Sequence, residues 1–134
     1  MKKISIMLID DNKIDLFIHK ELINQHKIAD SISEYMFASE ALSFLKTNDL
    51  EKWPQLILLD IHMPIMNGFD FLEKFAEFPQ LYKEKCAIII VSSSLDLNDK
   101  MKSKDNPFVL ELLEKPINIE RLKKILVDGK ILTI

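Results

Sequence analysis

Two adjacent acids at Asp10-Asp11, a third at Asp60, three serines at Ser92-Ser93-Ser94 and the pair Lys115-Pro116 each follow an apolar run. The block around the third acid, LILLDIHMPIMNG over residues 56–68, runs from four aliphatic residues into one carboxylate, and burying an ionised acid is expensive. Brought to one place, three carboxylates repel. Two unit charges about 4 Å apart interact by roughly 1 kcal/mol in water and by about 4 kcal/mol at an effective dielectric near 20. A single lysine, Lys115, does not offset three acids. A hard divalent cation bound through oxygen does, and Mg²⁺, which keeps several waters beside a few carboxylates, suits the donor set best. A carboxylate beside such an ion can attack a phosphoryl group. The ion and Lys115 then neutralise the phosphoryl oxygens, and the Ser92 hydroxyl donates to one of them.

The elements that must bring these residues together are five short apolar runs, Ile4–Ile9, Ser31–Phe37, Leu56–Leu59, Ala87–Val91 and Phe108–Leu113. Four are nearly continuous in apolar residues, as strands covered on both faces are. Helical periods lie between them. Ile14, Phe17, Ile18 and Leu22 form one stripe. Ala41, Leu42 and Leu45 form another behind a Ser39 cap. Phe71, Leu72, Phe75 and Phe78 form a third that Pro79 closes, and Ile119, Leu122, Ile125 and Leu126 form a last one capped by Asn118. Leu97 to Asn106 is polar and weakly periodic, and is read as a further helix. Strand and helix alternating in this way predict an α/β fold, a doubly wound five-stranded parallel sheet with helices on both faces. All strand C-termini then share one edge, where ligands bind at the reversal of strand order. Asp10, Asp11, Asp60, Ser92 and Lys115 are all predicted there, with Asp60 at the exposed lip of a buried strand.

The bulk properties agree with that architecture. A chain of 134 residues supports one domain with a sizeable core. The net charge of −3 advertises no nucleic-acid partner, and Arg121, Lys123 and Lys124 read as a solvated helix face. One cysteine, Cys86, allows no internal disulfide and fits a reducing, cytoplasmic setting. No apolar run approaches the roughly 20 residues that span a membrane. The expectation is a single domain over residues 1–134, with a core over about 3–127 and a short tail at 128–134. His19 and His26 lie about 10.5 Å apart along one helix, too far to share a metal, and both read as surface or partly buried. Trp53 reads as a loop anchor, Met63 and Met66 as loop packing, and Cys86 as a small buried apolar residue.

Taken together, Asp10-Asp11, Asp60 with Met63-Pro64 and Asn67-Gly68, Ser92, and Lys115-Pro116 resemble the receiver domain of bacterial response regulators, the CheY-like fold. The resemblance covers roughly residues 3 to 127. It implies the strand order 2-1-3-4-5 and two-component signal transduction. On that pattern Asp60 accepts phosphate from a sensor histidine kinase or a phosphotransfer protein. Asp11 ligates Mg²⁺ directly, Asp10 helps partly through water, and His62 offers its backbone carbonyl. Ser92 bonds to the phosphoryl group and Lys115 pairs with it, while Met63-Pro64 and Asn67-Gly68 shape the loop beneath. Autodephosphorylation at Asp60 is the only other chemistry implied, with His62 and Ser94 bordering the path of attacking water.

Two departures from the pattern bear on output. Leu112 stands where receivers usually carry Tyr or Phe, and the expectation is a receiver without an output domain. Action by docking, by relaying phosphate or by serving as a phosphate sink is the expectation. A phosphohydrolase of the haloacid dehalogenase type also uses a strand-end Asp with Mg²⁺, but such enzymes carry Asp-x-Asp, and here His62 holds the second position. A receiver-like adaptor acting without phosphorylation is distinguished by loss of an acid or the lysine, and neither is lost.

Overall fold

The computed structural model describes residues 2–133. Strands β1 (Ile4–Ile9), β2 (Ala29–Tyr35), β3 (Leu56–Asp60), β4 (Ala87–Ser92) and β5 (Val109–Glu114) form one sheet in the order β2-β1-β3-β4-β5. Every pairing is parallel. β3, at the centre, is buried along its whole length, which is why its sequence does not alternate. The edge strands β2 and β5 are partly exposed, so neither is covered on both faces along its length.

The period of two along each central strand divides the core into two layers. Met7, Ile9, Ile57, Leu59, Ile88 and Ile90 point to one side, where helices α2 (Ala38–Thr47) and α3 (Gly68–Phe75) cover them. Ile6, Leu8, Leu56, Leu58, Ile89 and Val91 point to the other, beneath α1 (Lys13–Gln25) and α6 (Ile119–Asp128). Trp53 anchors the loop before β3 as expected: its ring is buried among Phe75, Phe78 and Tyr82, and its indole N–H donates to the Leu45 carbonyl at 3.0 Å.

Several local expectations are corrected. α1 turns Leu16, His19 and Ile23 inward, leaving Ile14 and Phe17 in solvent at 70% and 65% exposure, with Ile18 also exposed. The helix phase follows Asn12, whose side chain caps Ile14 and Asp15, and a histidine on the buried face hid the pattern. His19 is therefore core, not surface. α2 begins at Ala38 after Phe37 with no side-chain cap, so Ser39 lies inside it. α3 ends at Phe75, and a short helix α4 (Gln80–Lys85) follows Pro79. The polar segment 97–105 is a helix, α5 (Leu97–Asp105), but an inverted one: its buried residues are Asp99 and Ser103. Asn118 caps α6 as expected, accepting from the Arg121 N–H at 3.0 Å. The segment after α6 is packed: Leu132 is buried and Thr133 bridges Lys2 in antiparallel fashion. Ile134 lies outside the described residues.

Candidate functional site

Each expected residue arrives at the C-terminal edge of the sheet because a strand ends there. Asp10 follows β1 and its N–H is held by the Tyr35 carbonyl of β2 at 3.0 Å. Asp60 is the last residue of β3, in register with Val91. Ser92 closes β4, and the Lys115 N–H donates to its carbonyl at 2.9 Å, tying the end of β5 to that of β4. The loop beneath Asp60 is closed by a 2.8 Å bond from the Gly68 N–H to the Ile61 carbonyl. A Cβ at Gly68 would stand 2.7 Å from the Asp60 carbonyl oxygen and 2.9 Å from the Ile61 Cα. Glycine is required there by close approach of two backbones.

The side chains converge. One carboxylate oxygen from each of Asp10, Asp11 and Asp60 lies within 4.8 Å of the others. The Lys115 ammonium sits 2.6 Å from Asp10 Oδ2, 3.0 Å from Asp15 Oδ2 and 3.5 Å from Asp60 Oδ1. Asp60 is 4% exposed, which corrects its expected place on an exposed lip: the carboxylate is inside. Burial above all, and then the Asp10 carboxylate, push its pKa up to about 6 against the pull of Lys115. Burial pulls the Lys115 ammonium down, but the Asp10 and Asp15 carboxylates beside it outweigh this and hold it above its ordinary value. Ser92 is fully buried, and its hydroxyl donates to the Ser94 carbonyl at 2.9 Å. The His62 imidazole lies 3.4 Å from Asp99 Oδ2.

The donor set fits a divalent cation. The three carboxylates offer hard oxygen ligands within 4.8 Å of one another, and Asp10 Oδ2 is a buried oxygen with no well-formed hydrogen bond despite the short lysine contact. Three participants were not expected from sequence. Asp15 pairs with Lys115 from the first turn of α1; its signal was an acid one turn beyond a strand end that already carried two. His19 lies beneath the lysine loop, where its Nε2 accepts from the Ile117 N–H at 3.4 Å. Burial first, and then the Lys115 charge, lower its pKa, which keeps the acceptor nitrogen free. Asp99 is buried opposite His62, and nothing in the sequence marked it.

A parallel sheet in the order β2-β1-β3-β4-β5 binds ligands outside its strand C-termini, and the acids and the lysine gather at that edge. Residues 6–127 match the family described as response regulator receiver domain, and the chain belongs to that family, the receiver domain of two-component response regulators. It is similar to a two component response regulator from Cytophaga hutchinsonii, with 29% identity and a TM-score of 0.87 over 97% of this chain and 98% of that one. A response regulator receiver protein from Dyadobacter fermentans is 28% identical, with a TM-score of 0.85 over 92% and 95% of the two chains. Among curated proteins, protein-glutamate methylesterase/protein-glutamine glutaminase 3 of Leptospira interrogans is 32% identical over 95 residues, 69% of this chain and 24% of that protein. Its counterpart 1 from Pseudomonas savastanoi is 26% identical over 133 residues, 96% of this chain and 33% of that protein. The chain thus spans a quarter to a third of the length of these two relatives, within their receiver portion. Among the described residues, no helix is long and apolar enough to cross a membrane.

Proposed function

We propose that this chain is a cytoplasmic phospho-acceptor switch in which Asp60 takes a phosphoryl group from a histidine kinase or a phosphotransfer protein. The observation that carries it is the buried Asp60 carboxylate meeting Asp10, Asp11 and Lys115 at one strand edge. In the transfer, an Asp60 carboxylate oxygen bonds to phosphorus as the nitrogen–phosphorus bond of the donor's phosphohistidine breaks. The electron pair stays on the donor imidazole, which picks up a proton from solvent.

Asp10, Asp11, Asp60 and the His62 backbone carbonyl would hold Mg²⁺, which supplies charge neutralisation for the phosphoryl oxygens. Lys115 supplies a second positive charge, its ammonium 3.5 Å from Asp60 Oδ1. Ser92 turns its hydroxyl from the Ser94 carbonyl toward a phosphoryl oxygen, a neutral hydrogen bond exchanged for a charge-assisted one. The site therefore works by positioning and electrostatics. Return to the resting state is hydrolysis of the acyl phosphate by water entering past His62 and Ser94.

The output is a change in protein–protein contacts, either with a downstream target or in a relay of phosphate. Acetyl phosphate with Mg²⁺ is expected to add one phosphoryl group by intact mass. Asp60→Asn abolishes that mass shift and a chelator suppresses it. An Asp60→Asn protein phosphorylated as well as the natural chain shows the assignment to be wrong.

A further inference from the structure

Lys115 is shared. Its one well-aligned hydrogen bond to a side chain among the described residues goes to Asp15 Oδ2, at 3.0 Å. The contact to Asp60 Oδ1 is the longest of its three ion pairs, at 3.5 Å. Asp15 is free to make that bond. The Asn12 N–H, which an acid at this helix position often accepts from in a capping box, is already bonded to Asp10 Oδ1 at 2.9 Å. The Asp15 N–H is in turn satisfied by Asn12 Oδ1. The Asp15 carboxylate is thus left to Lys115, whose side chain is nearly enclosed at 7% exposure.

We propose that Asp15 is a positioning residue that holds the Lys115 ammonium on the α1 side of the site and competes with Asp60 for it. The proposal rests on the reading of Asp60 as the phosphoryl acceptor. In the resting protein, Asp15 at 3.0 Å, together with Asp10 at 2.6 Å, keeps the lysine from closing fully onto Asp60. When a phosphoryl group adds negative charge at Asp60, the ammonium shifts toward it and loosens its bond to Asp15. Asp15 therefore sets how readily the charged state is stabilised, acting through Lys115 and touching neither phosphorus nor the leaving group.

The test is a double-mutant cycle read by beryllofluoride binding in saturating Mg²⁺, with the full chain. Asp15→Asn is expected to tighten beryllofluoride binding severalfold, and Asp15→Glu to stay near the natural affinity. In a Lys115→Ala background, Asp15→Asn is expected to change the affinity by less than twofold, since the ammonium it competes for is gone. An equal gain in both backgrounds shows that Asp15 acts by direct repulsion and overturns the proposal, as does unchanged or weaker binding in Asp15→Asn. A natural chain that neither binds beryllofluoride nor takes phosphate from acetyl phosphate overturns the acceptor reading first, and the role of Asp15 with it. Failure of the cycle alone leaves that reading standing.

Discussion

At the scale of single residues, the site trades stability for reactivity. Asp60 ends an apolar strand with its carboxylate buried, and its pKa rises from 3.8 to about 6. An acid whose folded-state pKa is raised is destabilising when ionised. Below about pH 3 the acid is largely protonated in both folded and unfolded chains. As pH rises through the window between the two values, the unfolded chain loses its proton first and stability falls. Above pH 6 the folded chain carries the full cost, ~2–3 kcal/mol at 1.36 kcal/mol per unit. Asp60→Asn is therefore expected to stabilise the metal-free protein at pH 7.5 by an amount of that order and to confer little at pH 4. Urea unfolding with a chelator at the two pH values measures this, and a pH-independent difference between the proteins sinks it. Mg²⁺ is expected to shrink the gain, because a bound cation favours the ionised acid. A functional acid that destabilises its own fold is what a site held ready for charge looks like.

At the scale of elements, the loop from β3 to α3 is tightly constrained. Asn67 and Asp70 cap α3 reciprocally, with bonds of 3.0 and 2.9 Å, so the helix start is pinned from both sides. Gly68 then passes against the backbone of Asp60 and Ile61. The atoms a methyl group would strike are a carbonyl oxygen and a Cα, neither of which can rotate aside. Gly68→Ala is expected to cost about 1–3 kcal/mol, the usual range for overpacking. It should also push the loop off the floor of the site and slow phosphorylation by acetyl phosphate. Thermal unfolding and the initial rate of the mass shift check the two effects, and natural values of both would refute the close-approach account. α5 is the opposite case. Its inner face is polar, while Leu97 and Met101 are 73% and 56% exposed, so little apolar burial holds it in place.

At the scale of the whole molecule, the question is how a charge at Asp60 reaches a surface. In receivers an aromatic on the fifth strand turns inward, but here the position is Leu112, half-buried against the α2–α3 core layer. Burying a leucine completely is worth about 1.5–3 kcal/mol, and a rotamer change realises only part of that. A two-state element needs a real difference in contacts between its states. The fold offers a second connection: His62, two residues past Asp60, lies 3.4 Å from Asp99 on the weakly held α5. Beryllofluoride with Mg²⁺ is therefore expected to alter amide exchange most in the loops at 61–67 and 93–96 and at the start of α5. Most of that response should survive Leu112→Ala. Changes centred on Leu112 and lost in that variant show that the leucine does the work of the aromatic.

The sequence by itself determined the strand–helix alternation and the chemistry of each strand end, because a parallel sheet aligns all its C-termini along one edge. Asp10, Asp11, Asp60, Ser92 and Lys115 could be placed there from local pattern alone. Their neighbours could not. Asp15 meets Lys115 across 100 positions of chain, and Asp99 meets His62 from another helix. The inward face of α1 depended on a buried histidine that a hydrophobic count reads as polar. Whether Asp60 lies in water or in the interior is likewise set by how the loops close over the edge. Periodicity and strand ends are local properties, carried by each segment; burial and ion pairing exist only between segments, and only tertiary packing decides them.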